Sequence, residues 1–240
     1  MNRRFLVIVA LIVIVMSGTF VSASLKGERK LDALTGTPAK IGFIGDSITA
    51  GAHATAANAV QSEMNSLGSG YGDVNRGMGG ATTADWLPGG IYYDSSLAVF
   101  KSEDVHIVSI MLGVNDALLN ATTPEQYGDN MRTIADKLLG SGQVKYVIIN
   151  YPTYIAATDK NGITAEGIDK VRSSLQQYMR QLDRLVNGKT IIKGDTAAYG
   201  YFAHHESELV DGVHPTDAGY KQLGILWAKA VKNFLTTHHI

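Results

Sequence analysis

The chain has 240 residues, 45% hydrophobic and 18% charged, enough to bury one sizeable core in a single domain, which excludes disorder as its main state. Lys and Arg total 21 against 22 Asp and Glu, a balance that carries no electrostatic footprint for nucleic acid or for an anionic membrane surface. Cysteine is absent, which removes disulfides, thiol nucleophiles, Cys-based zinc sites and iron–sulfur clusters together, so any nucleophile must be oxygen or nitrogen.

At the amino terminus Arg3 and Arg4 precede an apolar run from Phe5 to Met16, followed by small and polar residues up to Ala23. That order is the pattern of a secretory signal peptide, and the run is short of the roughly 20 apolar residues that a spanning helix needs. The expectation is export with cleavage after Ala23, a linker over 24–39 and a single domain over 40–240, with no stable membrane span after cleavage. Loss of residues 1–23 removes two of the 21 basic residues and none of the 22 acidic ones, leaving a mature chain of formal charge −3.

Lys40–Gly45 and Val105–Leu112 are apolar runs closed by turn residues and read as buried strands. Thr55–Leu67 is an alanine-rich helix candidate, and Tyr71–Asn75 is a weaker strand. Thr123-Pro124-Glu125 places an N-cap before a proline at the first helical position, opening a helix that ends at Gly140. Its Tyr127, Met131, Ile134 and Leu138 share one face. Val144–Asn150 is a further strand. A helix over about Thr164–Asn187 follows, with Ile168, Val171, Leu175, Tyr178, Leu182 and Leu185 in register. Thr190–Lys193 is the last strand, and a helix after Pro215 carries Tyr220, Leu223, Trp227, Val231 and Leu235. Strands alternating with helices imply right-handed crossovers and a parallel sheet covered on both faces, a three-layer α/β/α sandwich. In such sheets chemistry belongs just beyond the carboxyl ends of the strands.

Those ends carry Gly45-Asp46-Ser47-Ile48-Thr49, Asn75-Arg76-Gly77-Met78-Gly79-Gly80 and Gly113-Val114-Asn115-Asp116, with Asp211-Gly212-Val213-His214-Pro215 near the carboxyl terminus. Acyl transfer needs a hydroxyl nucleophile, a base, a group that orients the base, and donors for the oxyanion. Ser47 at a strand-to-helix turn supplies the hydroxyl, and His214 an imidazole that titrates near neutral pH. Asp211, three residues earlier, can reach the far ring nitrogen. The Ser47 backbone N–H, the unobstructed N–H of Gly80 and the amide of Asn115 supply three oxyanion donors.

At these residues the chain resembles the SGNH hydrolase superfamily, the GDSL esterases and lipases. GDSIT matches its first block, RGMGGATT its second, GVND its third and DGVHP its fifth, over Lys40 to about Gly219. The resemblance implies a five-stranded flavodoxin-like sheet, no metal or organic cofactor, Ser47, Asp211 and His214 as catalytic residues, and Gly80 and Asn115 in the oxyanion hole. Gly79 stands where the family often has serine or alanine, which leaves Gly79 an alternative to Gly80. No GxSxG elbow of the α/β-hydrolase fold is present.

Other polar residues have simpler readings. Asp46, adjacent to Ser47, reads as a loop-bracing hydrogen bonder, Asp116 as a helix cap or support for Asn115, and Asn75 as a brace of the second loop or a plain turn residue. His204-His205 reads as surface loop rather than metal ligand, and His53 as a solvated histidine at a helix start ahead of one lining the rim. Trp86, Tyr92 and Tyr93 read as local packing ahead of sugar stacking. The expected activity is ester hydrolysis through an acyl-enzyme, on small-molecule or glycan esters with short acyl chains such as O-acetyl groups. The alternatives are a lysophospholipase or acyl thioesterase, an O-acyltransferase, and a carbohydrate-binding module without turnover.

Overall fold

The computed structural model describes residues 40–53, 73–157 and 164–240. The signal-peptide and linker expectations, the Thr55–Leu67 helix and the first two residues of the Tyr71–Asn75 strand fall outside them. Among the described residues, β1 (Ile41–Gly45), β2 (Asp73–Asn75), β3 (Ile107–Met111), β4 (Tyr146–Ile149) and β5 (Ile191–Lys193) form one sheet in the order β2-β1-β3-β4-β5, every pair parallel. The helices are α1 (Ser47–Ala50), α2 (Ile91–Ser102), α3 (Val114–Leu118), α4 (Pro124–Gly140), α5 (Ala165–Leu185), α6 (Ala198–His204) and α7 (Asp217–His238). Single 3-10 turns lie at Ala84–Trp86 and Glu206–Glu208. This is the three-layer α/β/α sandwich with a five-stranded parallel sheet.

Alternation along β1 shows why helices cover both faces. Successive side chains point to opposite sides of a strand. Phe43 meets Trp227 of α7 edge-on at 5.5 Å between ring centroids. Gly42 faces the other way, where a Cβ would come within 2.4 Å of the Phe100 ring of α2. Glycine there lets an aromatic ring from α2 lie directly on the strand. Ser109, the β3 partner of Phe43, is fully buried on the α7 side, where Trp227 Nε1 and Asn150 Nδ2 donate to its hydroxyl at 2.7 and 2.9 Å. The one polar residue of β3 is thereby satisfied, and an unpaired hydroxyl at that depth would cost about 1–3 kcal/mol.

Helix boundaries follow local chemistry. Thr123 caps α4 in a reciprocal box: its hydroxyl accepts from the Gln126 N–H at 3.2 Å and the Gln126 side chain accepts from the Thr123 N–H at 2.9 Å. Tyr127, Met131, Ile134 and Leu138 are all buried, and Tyr127 stacks on Tyr178 of α5 at 4.1 Å. α5 stops because the Asn187 side-chain oxygen Oδ1 accepts from the N–H groups of Lys189, Thr190 and Ile191, folding the chain into β5. Helix α2 is absent from the sequence reading. Its buried positions Tyr93, Ser96 and Phe100 include a serine in mid-face, which erases the apolar stripe; Ser96 accepts from Arg76 Nε at 3.2 Å.

The first connection runs from β1 outward to β2, and the next crosses back to β3 on the other side of β1. Strand order reverses there, which opens a crevice beyond the carboxyl ends of β1 and β3.

Candidate active site

Ser47 opens α1, the single turn that follows β1, and Asp46 is its N-cap, with its carboxylate accepting from the Ile48 N–H at 2.9 Å. His214 comes from the far end of the chain. The segment Leu209–Pro215 is a tight antiparallel turn, closed by Val210 N–H donating to the His214 carbonyl at 2.8 Å and held to α7 by the Thr216 cap. Ser47 Oγ lies 2.8 Å from His214 Nε2, and His214 Nδ1 lies 2.8 Å from Asp211 Oδ2. The other Asp211 oxygen accepts from the backbone N–H groups of His214 at 2.8 Å and Val213 at 3.0 Å.

Desolvation opposes the Asp211 charge, but the His214 and Val213 N–H groups and the His214 ring outweigh it and hold the carboxyl down to about 2. An ionised carboxylate only accepts hydrogen bonds. His214 therefore carries its proton on Nδ1, and the Nε2 lone pair is left to accept the Ser47 hydroxyl proton. The three side chains form a relay able to take a proton from the serine.

The loop after β2 is pinned beside this relay. Met78 N–H donates to the Gly45 carbonyl at 3.0 Å, and Asn75 spans the gap to α1, its amide donating to Thr49 at 2.7 Å and its oxygen accepting from Gly77 at 2.8 Å. Asn75 thus braces the second loop. The turn Met78–Ala81 closes with an i to i+3 hydrogen bond at 3.1 Å, and Gly80 sits in its third position with φ 74°. A side chain rarely adopts that backbone, so the turn selects glycine at 80, and Gly79 shows no positive φ. Asn115, the second residue of α3, donates to the Ala81 carbonyl at 3.0 Å, joining the β3 end to the same loop. Its second amide N–H and the backbone N–H groups of Ser47 and Gly80 have no acceptor among the described residues.

Several supports were not legible in the sequence. Gly113 is the cap of α3, and Asp116 neither caps a helix nor hydrogen-bonds the Asn115 side chain. Its buried carboxylate accepts from the Thr83 N–H at 3.0 Å and hydroxyl at 2.6 Å, and from Thr122 at 3.2 Å, so it ties the glycine loop to α3. Trp86 is fully buried and donates to the Gly45 carbonyl at 3.2 Å, with Tyr92 packed against it and Tyr93 buried, in line with local packing. Tyr220 OH donates to the Ala52 carbonyl at 2.9 Å, fastening the histidine-bearing end of the chain to the serine turn. Helical periodicity marks Tyr220 as buried and the aromatic cluster after the glycine loop marks Trp86 as packed, but neither signal reports on their polar ends. His204 and His205 are exposed, with Nδ1 against the Gly200 and Tyr201 carbonyls.

Asp46, adjacent to the nucleophile, is perturbed in the opposite direction from Asp211. Burial pushes it up to about 7 against the Ile48 and Thr49 N–H groups, and nearby Asp116 adds to the rise. The native protein keeps this proton to about pH 7, whereas an unfolded aspartate loses it near about pH 4. Stability from this group is present below that lower value and lost as pH rises through the native one. Asp46→Asn keeps the acceptor for Ile48. It is expected to match the wild type near pH 4 and to gain as much as about 4 kcal/mol above pH 7. Urea unfolding at pH 4.5 and 7.5 measures this; an equal difference at both values contradicts it.

The comparisons bear on family and fold. The family model described as GDSL-like Lipase/Acylhydrolase family matches residues 43–222. Among solved structures, the lipase/acylhydrolase from Enterococcus faecalis is 23% identical with TM-score 0.59, over 82% of this chain and 96% of that one. An acetyl xylan esterase from Geobacillus stearothermophilus is 23% identical with TM-score 0.60, over 82% of this chain and 95% of that one. No curated protein sequence matches the chain.

Proposed function

The chain belongs to the GDSL-like lipase/acylhydrolase family, and on that premise we propose that this serine hydrolase uses Ser47 as nucleophile, His214 as general base, Asp211 as orienter, and the Ser47 N–H, Gly80 N–H and Asn115 amide as oxyanion donors. The observation that carries the reading is the continuous relay Asp211–His214–Ser47 at 2.8 and 2.8 Å. Ser47 Oγ attacks the ester carbonyl carbon as its proton passes to His214 Nε2. The developing oxyanion takes up the three N–H groups, each worth about 3–4 kcal/mol in the transition state. Collapse of the intermediate expels the alcohol, which leaves with the His214 proton. Water, deprotonated by the same nitrogen, then cleaves the acyl-enzyme and restores the serine.

The substrate part of the proposal is an ester of a short acyl group, foremost O-acetyl on a carbohydrate. What supports it is the polarity of the groups that ring the nucleophile: Gly79 and Gly80 are exposed and bare of side chains, Asn115 is half-buried, and His53 is exposed. Among the described residues, the large apolar side chains next to the motifs, Ile48, Trp86, Met111 and Val114, are buried in the core rather than turned toward the nucleophile. The acetyl xylan esterase shares the fold and acts on esters of this kind by its name. Hydrolysis rates across acetyl, butyryl, octanoyl and palmitoyl p-nitrophenyl esters test this: kcat/KM falls at least tenfold from acetyl to octanoyl, and a rise with length points instead to a lysophospholipase or thioesterase. Export belongs to the same proposal and rests on residues 1–23 alone; amino-terminal sequencing of protein recovered outside the cytoplasm reads it.

A further inference from the structure

A second histidine leans over the Asp–His pair. His53 Nε2 lies 4.0 Å from Asp211 Oδ2, and the rings of His53 and His214 are 4.9 Å apart, tilted by 56°. One donor atom from each of His53, Asp211 and His214 falls within a 4.8 Å cluster. The two histidines reach it from turns 161 residues apart, His53 just after α1 and His214 just before α7.

We propose that His53, Asp211 and His214 Nδ1 form a reversible inhibitory site for a borderline divalent cation of the zinc type. The inference rests on the proposed role of His214 as base. Zinc holds imidazole nitrogen and carboxylate oxygen at about 2.0–2.2 Å in a tetrahedron, which sets neighbouring donors about 3.3 Å apart. The observed 2.8 Å between His214 Nδ1 and Asp211 Oδ2, and 4.0 Å between His53 and Asp211, lie on either side of that spacing. The His53 side chain is 54% exposed and free to close the longer gap, and water can fill the fourth position. Two imidazoles and one carboxylate favour zinc or copper over magnesium or calcium, which prefer all-oxygen sets.

The consequence is a change of tautomer. A metal bound at Nδ1 displaces the proton that Nδ1 shares with Asp211, and through solvent that proton reappears on Nε2. No net proton is gained or lost at His214, but Nε2 becomes a donor and can no longer accept from Ser47. The relay is switched off while the fold and the oxyanion donors stay in place.

Untagged protein is titrated with zinc chloride in chelator-free buffer at pH 7.5, with binding read by calorimetry and turnover by p-nitrophenyl acetate hydrolysis. One zinc per chain is expected to bind, with loss of turnover tracking occupancy and EDTA restoring it. His53→Asn suits the φ of 66° at this position. Measured against its own zinc-free rate, this variant requires at least tenfold more zinc for binding and for inhibition. Ser47→Ala binds zinc as the wild type does, so calorimetry reports the site even where ester hydrolysis is lost. Equal inhibition of wild type and His53→Asn overturns the inference. So does zinc binding that leaves turnover intact, binding that vanishes instead in the His204→Gln/His205→Gln double variant, or inhibition by magnesium at the same concentrations.

Discussion

Ser47→Ala is expected to lower kcat on p-nitrophenyl acetate by at least about 10⁴-fold with little change in KM and with cooperative unfolding preserved. The substitution removes the atom that forms the acyl bond, while the ground-state contacts of the substrate with the glycine loop and Asn115 are untouched. Folding is spared because Ser47 Oγ is part-buried and, among the described residues, hydrogen-bonds only His214 Nε2. Loss of such a bond costs about 1 kcal/mol. Alanine at the first position of α1 also leaves the Asp46 cap intact. Residual rate above the uncatalysed reaction is expected from the oxyanion donors alone. Steady-state kinetics with a trace-free preparation reads the effect; a variant keeping a tenth of wild-type kcat removes Ser47 from the nucleophile role and the esterase mechanism with it. The carbohydrate-binding alternative makes the opposite prediction, since binding without turnover is indifferent to this hydroxyl.

The second large effect is expected at Asp211→Asn, with kcat down about 10⁴-fold while the serine and histidine stay in place. An asparagine amide turned toward Nδ1 donates to it, which stabilises the proton on Nε2 and removes the lone pair that Ser47 needs. The acid behaviour carries an independent signature. Because Asp211 is held down to about 2 in the native state, its contribution to stability is present above the unfolded value and is lost only as pH falls through about 2. Wild type and variant therefore differ in unfolding free energy at pH 6 and converge toward pH 2. Equal turnover, or a stability gap that does not shrink in acid, counts against the relay. With Ser47→Ala the chemistry fails for want of a nucleophile, and with Asp211→Asn for want of a correctly protonated base. Only the first is expected to prevent labelling by an organophosphonate at long times, since a residual serine hydroxyl survives in the second.

Much of the architecture was legible in the residues because it is written locally. The apolar runs at Lys40–Gly45 and Val105–Leu112, the Thr123-Pro124 start and the six-residue stripe from Ile168 to Leu185 each depend on neighbours within a few turns. The observed strands and helices follow them with a residue or two trimmed at the ends. Helix α2 escaped because its face toward β1 is centred on Ser96, whose polarity is answered by Arg76, twenty residues away. The short helices α3 and α6 escaped because one or two turns carry too few positions to display a period.

The site divides along the same line. The residue types and the turn at each strand end were readable, but the choice between Gly79 and Gly80 stayed open in the sequence; the structure gives the positive φ to Gly80, in its own four-residue turn. The spatial relations between loops were not: that Asp116 answers Thr83 across 33 residues, that Tyr220 fastens Ala52 across 168, or that His53 comes beside Asp211. What the sequence determined alone is the set of buried strands, amphipathic helices and reactive groups, because hydrophobic period, capping and turn chemistry act within about a dozen residues. What the tertiary structure decided is the 2.8 Å meeting of Ser47 with His214 across 167 positions and the rim that surrounds it. Such distances are set by the order in which parallel strands pack, and strand order is a property of the whole sheet rather than of any one segment.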